Sequence, residues 1–217
     1  MSATLLVQQL TVGPLEENCW LLADPESQAA VLVDPGDEPE YLLEAVAKTG
    51  CTLSEIWLTH AHFDHVGAVA AILRAQPVHV RLHELDLPLY RNAAVSATRF
   101  GLVIENPPEP TIAWDEGDTV RLGGHAFVVW HLPGHAPGHV ALIGSSLCIS
   151  GDLLFEGSIG RTDLPLCDPA AMHRSLERLT ALAPALQVLT GHGPPTTIER
   201  ERARNPFLRG LARVVSS

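Results

Sequence analysis

The chain has 217 residues, 46% of them hydrophobic and 18% charged, enough apolar surface to bury a core without disulfides and too much for a disordered chain. Its formal charge of −11 at pH 7 repels phosphate backbones, and the Arg-rich stretch at Arg200, Arg202 and Arg204 alternates with Glu199 and Glu201 as on a solvated helix, which disfavours nucleic acid as a partner. The longest apolar run, Val66–Leu73, falls far short of the roughly 20 residues of a membrane span, and MSATLLVQQL carries no basic residue ahead of an apolar stretch, so neither a membrane anchor nor a secretory leader is expected.

In chain order, Leu5–Val12, Asn18–Ala23 and Ala29–Val33 read as strands, punctuated by Gly13-Pro14 and Pro35-Gly36. Glu38–Lys48 has the helical spacing Leu42, Leu43, Val46, with Gly50 as a stop. Glu55–Thr59 is a short strand, and Val66–Ala75 a buried helix. Leu82–Ala97 reads as helical with an interruption at Pro88, and Asn106–Pro110 as an extended loop. Short strands follow at Thr111–Trp114, Thr119–Leu122, His125–Leu132, Val140–Ile143 and Leu147–Ser150. Asp168–Leu182 is a helix capped by Asp168 with Pro169 in its first turn. Leu186–Thr190 is a last strand and Thr196–Arg204 a last helix. Strand runs flanked by helices imply a layered α/β or α+β domain. With no linker and no repeat in view, residues 1–217 are expected to form a single domain.

Cys19, Cys51, Cys148 and Cys167 show neither CxxC spacing nor a secreted framework, which suits a reducing, cytoplasmic setting. Histidine is the unusual residue, with eleven. The segment Thr59–His65, THAHFDH, places His60, His62, Asp64 and His65 within one short stretch. Imidazole and carboxylate suit Zn, Fe or Mn. Any one of them alone has an ordinary reading; Asp64, for example, would serve as the cap of a helix starting near Val66. Four together favour a metal site.

Three further residues share one grammar with His60: an apolar strand ends, a short turn follows, and a donor is presented. His135 follows Pro133-Gly134, Asp152 follows Gly151, and His192 follows Gly191. Strand ends are where layered folds gather ligand sites. Five His and two Asp exceed one tetrahedral zinc and suffice for two metals with open positions. Two carboxylates, two divalent ions and one hydroxide leave about +1, a charge that stabilises a developing oxyanion.

These segments, THAHFDH, PGHAPGH, SGDLLFEGSIGRTDLP and TGHGPPT, resemble the metallo-β-lactamase superfamily over nearly the whole chain. GRTDLP and GHGPPTTIERERARNPF resemble its short glyoxalase II-type members. The resemblance implies a four-layer αββα fold, two mixed β-sheets packed face to face with helices on both outer faces. It implies a first metal position at His60, His62 and His135, a second at Asp64, His65 and His192, and Asp152 as the bridge. The implied cofactors are two divalent ions, zinc foremost, with iron or manganese as alternatives. The implied reaction is attack of metal-activated hydroxide on a thioester such as S-D-lactoylglutathione, Asp64 also orienting or deprotonating the water. A small-molecule thioester is therefore the expected partner, and the oligomeric state is left open.

Asp34, in Asp-Pro-Gly, reads either as a turn residue or as an acceptor orienting a ligand imidazole, and the resemblance favours the second. Arg161 suits a substrate carboxylate, with an ion pair to Asp163 as its competing reading. His139 is expected to be structural. His79, His83, His125, His131 and His173 read as ordinary residues, and Trp20, Trp57, Trp114 and Trp130 as core. The chain after His192 is too short for the C-terminal helical domain that helps full-length glyoxalase II hold glutathione, so another acyl-thiol competes with the glutathione thioester. The rival activities are a persulfide dioxygenase with one iron and a lactonase or other esterase on the same centre. A nuclease is disfavoured by charge, and a metal-binding scaffold without turnover by the intact donor set.

Overall fold

The computed structural model describes residues 4–212. The reading of the N-terminus as free of a leader rests partly on Met1–Ala3, which lie outside the described residues.

The first half of the chain builds one sheet and its helices. β1 (Leu6–Val12), β2 (Glu17–Asp24) and β3 (Ala29–Val33) lead into α1 (Pro39–Lys48), β4 (Thr52–Trp57), α2 (Phe63–Val66), α3 (Val69–Ala75) and β5 (His79–Leu82). A 3₁₀ turn at Glu84–Asp86, α4 (Leu87–Arg91), α5 (Ala93–Thr98) and β6 (Ile112–Ala113) complete it. The second half builds the other sheet from β7 (Thr119–Leu122), β8 (His125–His131), β9 (Val140–Ile143) and β10 (Leu147–Gly151). A small hairpin, β11 (Leu154–Phe155) and β12 (Ser158–Ile159), precedes α6 (Pro169–Thr180), β13 (Gln187–Thr190), β14 (Thr196–Thr197) and α7 (Ile198–Arg204).

The sheets have strand orders β1-β2-β3-β4-β5-β6 and β14-β13-β10-β9-β8-β7. In the first, β1–β3 pair antiparallel and β3–β6 parallel. In the second, β7–β10 pair antiparallel, and β13 is parallel to β10. Both sheets are mixed.

Strand alternation explains the layers. All of β2 is buried, yet its side chains serve two cores, because successive residues point to opposite faces. Trp20 and Leu22 join Val31, Val33, Trp57, Trp114, Phe127 and Leu142 between the sheets. Cys19, Leu21 and Ala23 face the first helical layer, with Leu42, Val46, Val69 and Ile72. On the far side, Cys148 and Val188 meet Met172, Leu176, Leu179 and Ile198 from α6 and α7. The result is four layers, αββα. Trp20, Trp57 and Trp114 are core residues; Trp130 is half-buried, with the Arg178 guanidinium 4.2 Å over its ring. Among the described residues, no helix is long and apolar enough to cross a membrane.

Four local expectations need correction. The helix read over Val66–Ala75 is two helices, α2 and α3, parted at Gly67. A Cβ there would collide with the carbonyl oxygen of Gly36, so the chain can turn against Pro35-Gly36 only with glycine. Because α2 starts at Phe63, its N-cap is His62, and Asp64 lies in the first turn rather than capping a later helix. The helix read over Leu82–Ala97 is the end of β5, a 3₁₀ turn and two short helices; Pro88 interrupts nothing, since it sits in the first turn of α4, where no N–H is required. Thr196 and Thr197 form β14 before α7 begins, and Thr197 caps that helix by accepting from Arg200 N.

Candidate metal centre

The donors converge at one edge shared by both sheets. His60 follows β4; His62, Asp64 and His65 are on or beside α2; His135 follows β8; Asp152 follows β10; His192 follows β13. The ends of the second sheet are tied together and to the first. Gly191 N donates to Gly151 O at 3.0 Å, Asn18 N donates to Gly191 O at 2.7 Å, and Glu17 bridges His192 through the backbone.

Three ring nitrogens meet at the first candidate position. His60 Nε2 is 3.1 Å from His62 Nδ1, which is 2.8 Å from His135 Nε2. At the second, His192 Nε2 lies 3.5 Å and His65 Nε2 4.0 Å from Asp64 Oδ2. Asp152 stands between the two. Its Oδ2 is 3.4 Å from His135 Nε2 and 3.6 Å from His192 Nε2, and its Oδ1 is 3.4 Å from His65 Nε2. Each position takes two donors from the first sheet and one from the second, with Asp152 shared.

The far side of each ring determines which nitrogen faces the centre. His135 Nδ1 donates to Arg161 O at 2.8 Å and His192 Nδ1 to Leu15 O at 3.1 Å. His65 Nδ1 donates to Asp34 Oδ2 at 3.2 Å. Thr59 Oγ1 donates to that same Asp34 oxygen at 2.6 Å, which leaves the hydroxyl oxygen to accept from His60 Nδ1 at 3.1 Å. Four histidines thus commit the outer ring nitrogen as a donor, which leaves the inner nitrogen as the one that would ligate a metal. Asp34 also accepts from Thr59 N at 2.7 Å and has a left-handed φ of 53°. Its oxygens face Nδ1 of His65, on the opposite edge of the ring from Asp64 and Asp152, so it orients imidazoles from behind the centre.

Electrostatics divide the five histidines into two sets. Burial, reinforced by neighbouring imidazoles, pushes His60 well down and His62 to about 3, and burial also lowers His135 against the pull of Asp152. All three are neutral at pH 7. Burial works against charge on Asp152 too, but His65, His135 and His192 outweigh it and hold the carboxyl well below the usual range. Burial opposes charge on His65 and His192 as well; Asp152 and Asp64 prevail and raise both. His65 Nε2 and Asp152 Oδ1 are buried without a hydrogen-bonding partner. Nitrogen lone pairs and carboxylate oxygens facing one another across a buried gap fit divalent cations.

Two residues near the centre, Glu17 and Asp86, carried no signal in the sequence, and a third, His139, was expected to be structural. Glu17 is buried 3.6 Å from His65 Nδ1, with neither oxygen hydrogen-bonded, and burial drives its carboxyl well up. His139 is fully buried, its ring 5.2 Å from that of His60, and it packs against the centre rather than joining either donor group. Asp86 clamps the two His-bearing loops: Oδ2 accepts from Ala61 N at 2.9 Å and Oδ1 from Gly138 N at 2.5 Å. Burial raises its carboxyl to about 6 against those two bonds. Asp86→Ala leaves two buried N–H groups unsatisfied and should destabilise the fold by about 2–4 kcal/mol. Asp86→Asn keeps one acceptor and should cost roughly half, read as urea midpoints; equal midpoints for the two variants would remove the clamp.

The centre opens onto a cavity of about 600 Å³, lined by His62, Asp64, His135, Asp152 and His192 at its base. Arg161 lines the same cavity, and its guanidinium forms two 2.8 Å bonds with Asp163. Of the remaining histidines, His83 and His131 stack on each other at 4.2 Å, and His173 faces Glu177 on the surface.

Comparison with known proteins adds the following. The family model described as "Metallo-beta-lactamase superfamily" matches residues 12–192. The Haemophilus influenzae hydroxyacylglutathione hydrolase GloC is 36% identical over 208 residues, covering 93% of this chain and 97% of that protein. The crystal structure of TTHA1623 in a di-iron-bound form is 51% identical with a TM-score of 0.86, over 93% of this chain and all of that one. That of BLEG-1 B3 metallo-beta-lactamase is 34% identical with a TM-score of 0.87, over 94% and 99%.

Proposed function

For a chain that belongs to the metallo-beta-lactamase superfamily, a family of metallohydrolases, we propose a thioester hydrolase of glyoxalase II type, converting S-D-lactoylglutathione or a related acyl-thiol to acid and thiol. The observation that carries this reading is Asp152, placed between two three-donor groups at the base of a cavity of about 600 Å³, a size that suits a small molecule. The likeness to GloC at 36% identity supports the substrate class. In this reading His60, His62 and His135 hold one ion, Asp64, His65 and His192 the other, and Asp152 both.

Divalent ions held there would supply Lewis-acid chemistry, lowering the pKa of water toward about 7. The protein's own contribution is positional. Asp64, which lines the cavity, orients the attacking water and takes its proton through the carboxylate oxygen not committed to the donor group. Asp34, through Thr59 and His65, keeps rings of both groups in register. The departing thiolate is a good leaving group, so no strong acid need stand opposite Asp64. The ion's role is that of a Lewis acid, which zinc fills without redox chemistry; iron is the competing metal, given the di-iron-bound relative. Cysteines 19, 51, 148 and 167 are all unpaired, which supports a reducing cytoplasm.

The test is metal analysis of the purified protein, followed by assays on thioesters, lactones and glutathione persulfide. Two ions per chain and thioester cleavage without oxygen uptake are expected. One iron per chain with oxygen consumed on persulfide would replace this reading with a dioxygenase, and turnover confined to lactones with an esterase.

Arg161 is proposed to reach a substrate carboxylate in competition with Asp163. An exposed ion pair is worth no more than about 1 kcal/mol, so Asp163→Asn should lower KM for a carboxylate-bearing thioester by up to about fivefold with kcat unchanged. A stationary KM would leave Arg161 only its role of anchoring His135 through its carbonyl.

A further inference from the structure

Above the metal centre the cavity wall is mostly hydrocarbon, supplied by Phe63, Leu89, Phe100, Phe155, Leu164 and Leu166. The Phe63 and Phe100 rings touch, with centroids 4.9 Å apart. At the rim, three large apolar side chains are exposed: Leu15 at 37%, Phe100 at 51% and Leu166 at 56%. They come from three separate segments: the β1–β2 turn, the residues after α5 and the loop before α6. Apolar side chains gathered in this way around a cavity mark a surface that takes an apolar ligand.

Two arginines, Arg161 and Arg99, share this wall. Arg161 is already neutralised by Asp163. Arg74, Arg91, Arg178 and Arg200 likewise each have a carboxylate partner. Arg99, next to Phe100 at the end of α5, has no ion-pair partner among the described residues. A planar fork left free beside an apolar cavity fits a carboxylate on the ligand. A glutathione thioester, polar along its length, makes poor use of such a wall.

Resting on the thioester reading, we propose that the substrate is an amphipathic acyl-thiol: an apolar acyl chain of medium length lies along Phe63, Phe100 and Phe155, and a carboxylate on the thiol part is held by Arg99. Arg99 and Phe100 then set specificity, and neither touches the reacting atoms.

The test uses S-octanoyl- and S-acetyl-3-mercaptopropionate, the methyl esters of both, and two uncleavable thioethers, S-octyl-3-mercaptopropionate and its amide, titrated calorimetrically into the metal-loaded protein. Octanoyl should exceed acetyl in kcat/KM by about tenfold or more, as burial of several methylenes requires. The carboxylate should exceed its methyl ester by about tenfold, the scale of one charge-assisted hydrogen bond. Arg99→Ala should collapse the charged-to-neutral ratio for both thioesters and thioethers, Arg99→Lys should restore part of it, and Phe100→Ser should reduce the octanoyl-to-acetyl ratio. A charge preference that survives Arg99→Ala would place the carboxylate on Arg161 or the metal centre and overturn the assignment, as would equal rates on octanoyl and acetyl probes. Thioethers that discriminate as expected while no thioester is cleaved would sink the hydrolase reading and leave the ligand class standing. Cleavage without discrimination by chain or charge would do the reverse.

Discussion

Asp152→Ala should empty both metal positions at once. Its Oδ2 lies 3.4 Å from His135 Nε2 and 3.6 Å from His192 Nε2, and its Oδ1 3.4 Å from His65 Nε2, so one carboxylate borders both donor groups. Partners that merely orient a ligand cost 10–100-fold in metal affinity when lost, so a shared ligand should cost at least about 100-fold at each position. Activity should fall by about 10²–10³-fold or more, the scale of removing a single electrostatic stabiliser. The variant also leaves His65, His135 and His192 without their anion. Metal analysis after dialysis against a weak chelator reads the result. Loss of one ion with the other at wild-type occupancy would make Asp152 a ligand of a single site and end its role as bridge.

Gly191→Ala should disable the centre without adding or removing a donor. A Cβ at this position would fall inside contact distance of Asp152 Oδ1 and 3.0 Å from His65 Cε1. The turn cannot retreat, because Gly191 N is bound to Gly151 O and Gly191 O receives Asn18 N. Either Asp152 is driven off the line between the two groups or the turn bearing His192 is displaced. Overpacking of this kind costs about 1–3 kcal/mol, so the fold should survive, with unchanged circular dichroism. Metal occupancy and activity should drop nearly as far as for Asp152→Ala. A Gly191→Ala protein with two ions at wild-type affinity would mean that Asp152 moves freely, and that the observed position of its carboxylate is not the one that matters.

The convergence of the seven donors was legible because each follows an apolar strand and a short Gly- or Pro-containing turn, or lies in the cluster that opens α2. Strand ends on one edge of a layered fold have to meet, whatever the sequence between them. The layering was legible for a related reason: a strand such as β2, apolar without a break from Cys19 to Ala23 and so on both faces, needs cover on both sides. Asp86 left no trace because its partners are backbone N–H groups 25 and 52 residues away, and any residue can supply an N–H. Glu17 was equally silent: a carboxylate following Glu16 reads as solvated, and its burial depends on the docking of α2 and of the turn bearing His192. The break at Gly67 was missed because it answers to the Pro35-Gly36 turn, a contact between distant segments. Arg161 shows the limit of reading charge locally, since both of its readings were visible in Arg-Thr-Asp and only coordinates show the bidentate pair.

Because each donor group draws two members from the first sheet and one from the second, neither half of the chain owns a complete coordination sphere. An ion bound by either group would therefore be captured only after the sheets have docked, and would act as a cross-link between them. A ligand that binds only the docked form adds RT ln(1 + [L]/Kd), about 2.7 kcal/mol at a hundred times Kd. Thermal tolerance of the protein should thus rise with the free metal pool, and, where the donors accept more than one metal, supply at the last step of maturation should decide which ion is held. Preparations from iron-rich and zinc-rich cultures should then be distinct enzymes with one sequence.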